Sequence, residues 1–287
     1  KMAYDILCYL DQINCLPERY GILEVSADLQ QRQKATLDLL PAHLRAKVYW
    51  RTDLPDTFTG VMLANEVLDA MPATRWCWQD HSLYECAVTL AEDGEFCSTL
   101  IDPSEPLKRW FEGLPAPLRE RLPNGYTSEC HLAHESWLSQ LATVLTQGLI
   151  LLIDYGMPQA EYYLPERNDG SLLCYYRHYS HSNPLVLVGL QDITAHVDFT
   201  AVATYGLNAG LDLAGYCHQS AFLQALGILA IAQDAADLKK QLANAQALKR
   251  LLMPYEMGES FKVMALSKNC ELDLVGFSLM DQRERLG

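Results

Sequence analysis

Apolar and polar positions along this chain fall into blocks, and the period changes from block to block. Met2, Ile6, Leu7, Leu10 and Ile13 recur at helical spacing, which predicts a helix over residues 2–14. Gly21-Ile-Leu-Glu-Val25 predicts a short strand, after which Ser26 or Asp28 can cap a helix to about Leu40. Lys47-Val-Tyr-Trp50 is a second strand, closed by the turn Thr52-Asp-Leu-Pro-Asp56. Gly60-Val-Met-Leu-Ala-Asn65 is a third, ending in Asn65-Glu66 and a short helix to Met71. Strands that alternate with helices and end in polar residues imply a parallel, doubly wound α/β sheet.

From Thr74 to Leu100 the period shortens. Trp76, Trp78, Leu83, Tyr84, Cys86, Val88 and Phe96 lie in roughly alternating runs, with Asp80-His81 and Glu92-Asp-Gly94 as turns, so an antiparallel meander is expected. Residues 104–122 are punctuated by proline and partly helical. His131 to Thr146 predicts an amphipathic helix that leads into an apolar strand, Gly148-Leu-Ile-Leu-Leu-Ile-Asp-Tyr-Gly156. Residues 157–191 read as a long irregular connection holding Tyr162, Tyr163, Tyr175, Tyr176 and Tyr179; such connections are more often functional than idle. Helices are expected over Phe199–Leu207, His218–Leu229 and Asp234–Leu252, with a late antiparallel strand at Phe261–Leu266. The expected organisation is a core of residues 1–73 and 130–287 interrupted by a β-meander and helical insert, 74–129.

Charge narrows the partners. Against 22 Lys and Arg stand 36 Asp and Glu, a net charge of −14. Phosphate backbones and anionic membranes call for clustered cations, so neither nucleic acid nor a membrane surface is an expected partner; a basic protein segment would be a sensible one, and the same acidity could instead serve only to keep the chain in solution. The nine cysteines are scattered singly through apolar contexts, without a CxxC pair or zinc spacing, and predict reduced core residues of an intracellular protein.

Polar groups at strand ends carry the candidate chemistry, because ligands of open α/β sheets gather at the carboxyl edge. Asp154, Tyr155 and Gly156 end the most apolar strand. Asn65 and Glu66 end another, and a polar pair at a buried strand end costs free energy unless something binds it. Glu24 at the end of the first strand could take two hydrogen bonds from vicinal ribose hydroxyls, or simply favour the helix dipole. Asp53 holds the same position after the next strand, although aspartate is common in such turns. Asp192-Ile-Thr-Ala-His-Val-Asp-Phe199 concentrates Asp192, His196 and Asp198 without a structural period, a group suited to orienting a substrate or moving a proton, or else a turn network. His178 and His181 form an HxxH spacing with no evident third metal ligand, and read better as a lid or substrate contact than as a metal site. No G-x-S-x-G elbow, Walker loop or G-x-G-x-x-G is present.

Taken together, Leu23-Glu-Val-Ser26, Leu63-Ala-Asn-Glu-Val-Leu-Asp-Ala-Met-Pro72, Leu152-Ile-Asp-Tyr-Gly156, Asp192–Phe199 and Met257-Gly-Glu-Ser-Phe-Lys-Val-Met264 resemble the MidA-type class I methyltransferases that use S-adenosyl-L-methionine (SAM). The strings around Asn65-Glu66 and Asp192–Phe199 are the specific ones. The resemblance implies a Rossmann-like, mostly parallel sheet, SAM as cofactor with S-adenosylhomocysteine as product, and a protein arginine as substrate, as in the mitochondrial complex I assembly relatives. It also implies a bacterial cytoplasmic or mitochondrial matrix location, with a homodimer left open. The family's glycine-rich first turn is expected just before Lys1.

By the same resemblance, Glu24 holds the ribose, Asp53 and Leu54 border the adenine, and Asn65 and Glu66 line the methionine end or the substrate entrance. Asp154, Tyr155, His196 and Asp198 face the substrate. A guanidinium keeps its proton, with a pKa above about 12, so carboxylates must hold it. The expected catalytic set is Glu66, Asp69, Asp154, His196 and Asp198, with Glu129, Tyr155, His178 and His181 as substrate contacts. Two other readings stand beside this one. A non-catalytic assembly chaperone could use the aromatic segment as a binding surface. A nicotinamide oxidoreductase would share the ribose acid, but the Asn-Glu strand end argues against it.

Overall fold

The computed structural model describes every residue except 178 and 234–236, and the chain divides into two compact units, Lys1–Thr57 and Phe58–Gly287. The first unit runs α1 (Met2–Gln12), β1 (Tyr20–Leu23), α2 (Ala27–Leu37), α3 (Ala42–Arg45) and β2 (Val48–Arg51). Strands β1 and β2 pair in parallel from Tyr20 opposite Val48 to Leu23 opposite Arg51, and the Glu24 amide extends the ladder by donating to the Arg51 carbonyl. Ser26 caps α2, its hydroxyl accepting from the Leu29 amide, with Asp28 in the first turn. Leu7, Leu37, Leu40 and Leu44 are buried together as the core of this unit.

The second unit opens with β3 (Phe58–Asn65), followed by β4 (Thr74–Gln79), β5 (Ser82–Leu90), β6 (Phe96–Ile101), α4 (Glu105–Gly113), α5 (Ala116–Arg119) and β7 (Tyr126–Cys130). The predicted meander is present: β4, β5 and β6 pair antiparallel, and β7 joins the far side of β4. Trp76 anchors the core beneath it, with ring centroids 5.4 Å from Phe111, 5.7 Å from Trp110 and Tyr126, and 6.1 Å from Tyr163.

Next come α6 (Ala133–Val144), β8 (Leu145–Met157), α7 (Gln159–Tyr162), β9 (Leu173–Tyr176), β10 (Tyr179–His181), β11 (Asp192–Thr194) and β12 (Val197–Asp198). The chain then forms α8 (Phe199–Asn208), β13 (Asp212–His218), α9 (Gln219–Ala225), α10 (Ile228–Gln233), α11 (Leu238–Leu252) and β14 (Phe261–Lys268). Strand β8 is the centre of a five-stranded sheet. Strand β3 runs parallel along one edge of it and β12 follows, also parallel, at its end. On the other edge lies β14, antiparallel, and β13 runs antiparallel to β14. The sheet is therefore mixed: β3, β8, β12 and β13 share a direction and β14 opposes them. Leu149, Cys217, Val263, Ala265 and Phe277 form the core on one face.

Four expectations are corrected. No helix follows Asn65, because the amides of Leu68 and Asp69 donate to the Asp154 carboxylate instead of to a helical carbonyl. Strand β3 is half exposed rather than buried, with Val61 61% accessible. The connection after Met157 is not irregular throughout, since β9, β10 and β11 make a small antiparallel sheet within it, and its aromatic residues are not one surface: Tyr162 and Tyr163 are buried while Tyr175 and Tyr179 are exposed. Finally, Asp212–His218 forms a strand that the pattern did not predict, because a register shift between Leu213 and Gly215 breaks its alternation.

Candidate functional site

The end of β8 organises the second unit's polar centre. Asp154 is buried, and both its oxygens are engaged by backbone amides: Oδ2 accepts from Leu68 (3.0 Å) and Asp69 (3.3 Å), and Oδ1 from Tyr155 (2.9 Å). Burial, then the charge of Asp69, pushes its carboxyl up to about 7. Gly156 follows because a Cβ there would stand 2.1 Å from the Val197 carbonyl oxygen, so the close approach it permits is that of β12.

Asp69, carried by the loop that Asp154 holds, is only 4% exposed. Its Oδ2 accepts from the Tyr155 hydroxyl at 2.5 Å, while its Oδ1 has no hydrogen-bond partner among the described residues. Burial and this carboxylate push the Tyr155 phenol upward, so it stays protonated and donates. The His196 ring stands edge-on to Tyr155, with centroids 5.3 Å apart and planes at 81°. Burial, then the charges of Arg167 and Lys262, holds His196 near 4, a neutral imidazole.

Glu66 opens the same loop and is exposed, in the left-handed conformation (φ 51°) rare for a residue with a side chain. The Asn65 amide donates to its Oε1 at 3.1 Å. Backbone strain at a strand end is a signal that residue types alone do not carry.

A further carboxylate joins this centre from the four-stranded sheet. Glu129 on β7 is fully buried, and its Oε2 accepts from the Ser171 amide (2.7 Å) and hydroxyl (3.2 Å). Its Oε1 lies 3.4 Å from the Arg75 Nε, an ion pair without hydrogen-bond geometry, which leaves both atoms without a hydrogen bond among the described residues. Burial raises the Glu129 carboxyl despite these contacts. Ser171 also accepts from the His196 amide, so Arg75, Glu129, Ser171, His196, Tyr155 and Asp69 form one connected network.

The remaining expected residues have other hydrogen-bond surroundings. Asp198 caps α8, accepting from the Ala201 amide and the Gln159 side chain, and burial pushes it up to about 6. His181 is on β10 with Nε2 buried and unpartnered among the described residues; His178 lies outside the described residues. In the first unit, Glu24 accepts from the Ser26 amide through Oε1 and from Gln33 through Oε2. A carboxylate offers about four lone-pair positions, so two remain for vicinal hydroxyls. Asp53 is exposed in the turn after β2, beside half-buried Leu54.

Sequence reasoning did not single out three buried groups. His131 and His134 stack face to face, 4.4 Å apart and 4° from parallel. Lys262, on β14 opposite Asp154, donates to the carbonyls of Gly156, Glu259 and Ser260, and burial lowers it to about 8. Charged and imidazole groups inside an apolar strand or helix were the available signal.

This arrangement sits on a chain whose class is established by comparison. A family model described as "Putative S-adenosyl-L-methionine-dependent methyltransferase" matches residues 1–217, and the chain belongs to that family, of the MidA type. The cofactor of the family is SAM. Two curated relatives are mitochondrial homologues of the protein arginine methyltransferase NDUFAF7. That of Caenorhabditis elegans is 31% identical over 229 residues, 76% of this chain and 50% of the relative. That of Drosophila melanogaster is 27% identical over 239 residues, 77% of this chain and 50% of the relative. The chain thus spans about half the length of these relatives. Two crystal structures of proteins from Burkholderia thailandensis are also similar. One, in native form, is 34% identical with a TM-score of 0.92 over 98% of this chain and 75% of its own. The other, described as a "likely methyl transferase" and bound to S-adenosyl-homocysteine, is 35% identical with a TM-score of 0.91 over 98% and 72%.

Proposed function

We propose that this chain carries the core of a SAM-dependent methyltransferase whose substrate is a protein arginine. The observation that carries the reading is Asp69: a buried carboxylate with one oxygen fixed by Tyr155 and the other without a hydrogen-bond partner among the described residues. A guanidinium stays charged and presents a fork of N–H donors, which a carboxylate with free lone pairs is suited to hold. The names of the two curated relatives support arginine as the acceptor.

When bound, SAM supplies an activated methyl group, whose transfer forms an N–C bond, breaks the S–C bond and releases S-adenosylhomocysteine and one proton. Glu24 fits the ribose of that cofactor, since its two remaining acceptor positions match two vicinal hydroxyls. Tyr155 keeps the Asp69 carboxylate in one orientation, and His196 packs against the phenol to hold it. Asp69 Oδ1 holds the substrate nitrogen and takes its proton. Glu66, exposed at the end of β3, supplies a second acceptor for the guanidinium. The chemistry asks mainly for positioning, because the sulfonium is a good leaving group.

The test is methyl transfer from labelled SAM to a basic peptide containing arginine and to the same peptide with lysine in its place. Label is expected only in the arginine peptide. Asp69→Asn is expected to slow transfer at least about 100-fold while S-adenosylhomocysteine affinity changes less than about threefold. Label in the lysine peptide would overturn the arginine reading. Cofactor binding with no transfer to either peptide or to lysate proteins would favour the non-catalytic chaperone.

A further inference from the structure

We propose that His134 is a positioning residue for Asp69, working with Asp154 as the second jaw of a clamp on the loop between β3 and β4. The inference rests on the role of Asp69 given above.

Every backbone polar group of the Leu68–Asp69 pair is used. Asp154 accepts from both amides. The Leu68 carbonyl lies 2.9 Å from the His134 Nε2 and also accepts from the Met71 amide at 3.2 Å within the loop, so His134 is its partner from outside the loop, and the Asp69 carbonyl accepts from the Ala195 amide at 3.3 Å. A carbonyl only accepts, so Nε2 carries the imidazole proton and His134 donates. The ring cannot turn away: it is 2% exposed and lies against the parallel face of His131. Burial holds both rings uncharged, near 4 for His134 and near 3 for His131, so the donor is a neutral imidazole.

The two jaws come from one continuous stretch, since α6 runs directly into β8. His134 lies in the first turn of α6 and Asp154 near the end of β8, and they reach opposite polar groups of the same residue, Leu68. The geometry leaves the loop no free backbone group at that point. The Asp69 carboxylate is thereby delivered to Tyr155, with Oδ1 buried and unpartnered among the described residues. A side chain that fixes another side chain's backbone changes turnover more than cofactor affinity, because a small displacement of a reacting group is costly.

Two readouts on the full chain test this. Hydrogen exchange measures the loop directly, and steady-state kinetics with the arginine peptide measure its consequence. His134→Leu is expected to raise exchange at residues 66–69 about tenfold, leaving β8 amides unchanged. It should lower kcat about tenfold or more with the KM for SAM little changed. His134→Gln keeps an N–H donor and is expected to restore most of both. Should His134→Leu fail to fold, His134→Asn, whose shorter amide cannot reach the carbonyl, replaces it. Wild-type exchange in the variant without a donor would overturn the clamp. So would equal losses in the Gln and Leu variants, or faster exchange with unchanged kcat. If the wild type itself transfers no methyl group while the exchange results hold, the clamp stands and the reading of Asp69 as the arginine holder fails.

Discussion

Asp69 and Glu129 are two buried carboxylates that the structure treats differently. Each has one carboxylate oxygen without a hydrogen bond among the described residues, but the Glu129 Oε1 has the Arg75 guanidinium 3.4 Å away, whereas the fixed oxygen of Asp69 is held by the Tyr155 hydroxyl. The fit around Glu129 depends on Gly170, which has φ 77° and would place a Cβ 2.3 Å from the Glu129 Oε1. Gly170→Ala is therefore expected to destabilise the second unit by about 2–4 kcal/mol through backbone strain and overpacking. Thermal unfolding checks it, and an unchanged Tm would mean that Glu129 can move aside. Of the site residues, Asp154 was legible as an acid ending an apolar run, but its work was not. The groups it binds, on Leu68 and Asp69, are remote in sequence. The value of Asp69 was hidden in the same way, since only the fold shows which oxygen is occupied.

At the scale of elements, β8 and the loop after β3 depend on one carboxyl group. Asp154 titrates near 7 in the folded protein against an ordinary 3.8. Between those values the native state holds a proton that the unfolded chain has lost, so this group's contribution makes stability fall as pH rises through the window. Asp154→Asn has no such proton. The Tm difference, wild type minus variant, is expected to decrease from pH 4 to pH 7. A difference flat across that range would show that Asp154 keeps an ordinary pKa. The period of the pattern identified the strands at Gly60–Asn65 and Gly148–Gly156, the meander and the helix before β8, because each buries one face of regular spacing. It did not reveal β13, whose alternation is interrupted, nor the small sheet of β9, β10 and β11, whose short strands hold together through pairing rather than burial.

For the whole molecule, charge is the property that acts at a distance. A net charge of −14 favours encounter with a basic, arginine-bearing segment. The KM for such a peptide is expected to rise several-fold as salt increases from low ionic strength to about 0.5 M, with kcat little changed, because screening weakens encounter and not the clamped site. A KM independent of salt would show that recognition is local. Among the described residues no helix is long and apolar enough to cross a membrane.

The sequence by itself determined the elements of strong period, the acidic surface and the family, because burial, charge and the strings at strand ends are local properties of the chain. Tertiary structure decided which group holds each carboxylate oxygen. Asp154, Glu129 and Asp198 looked equivalent to Asp69 as candidate acids along the chain. Their hydrogen bonds to Leu68, Ser171 and Ala201 now separate them from it. A carboxylate's chemistry depends on which lone pairs its neighbours already hold, and those neighbours are set by packing between distant segments.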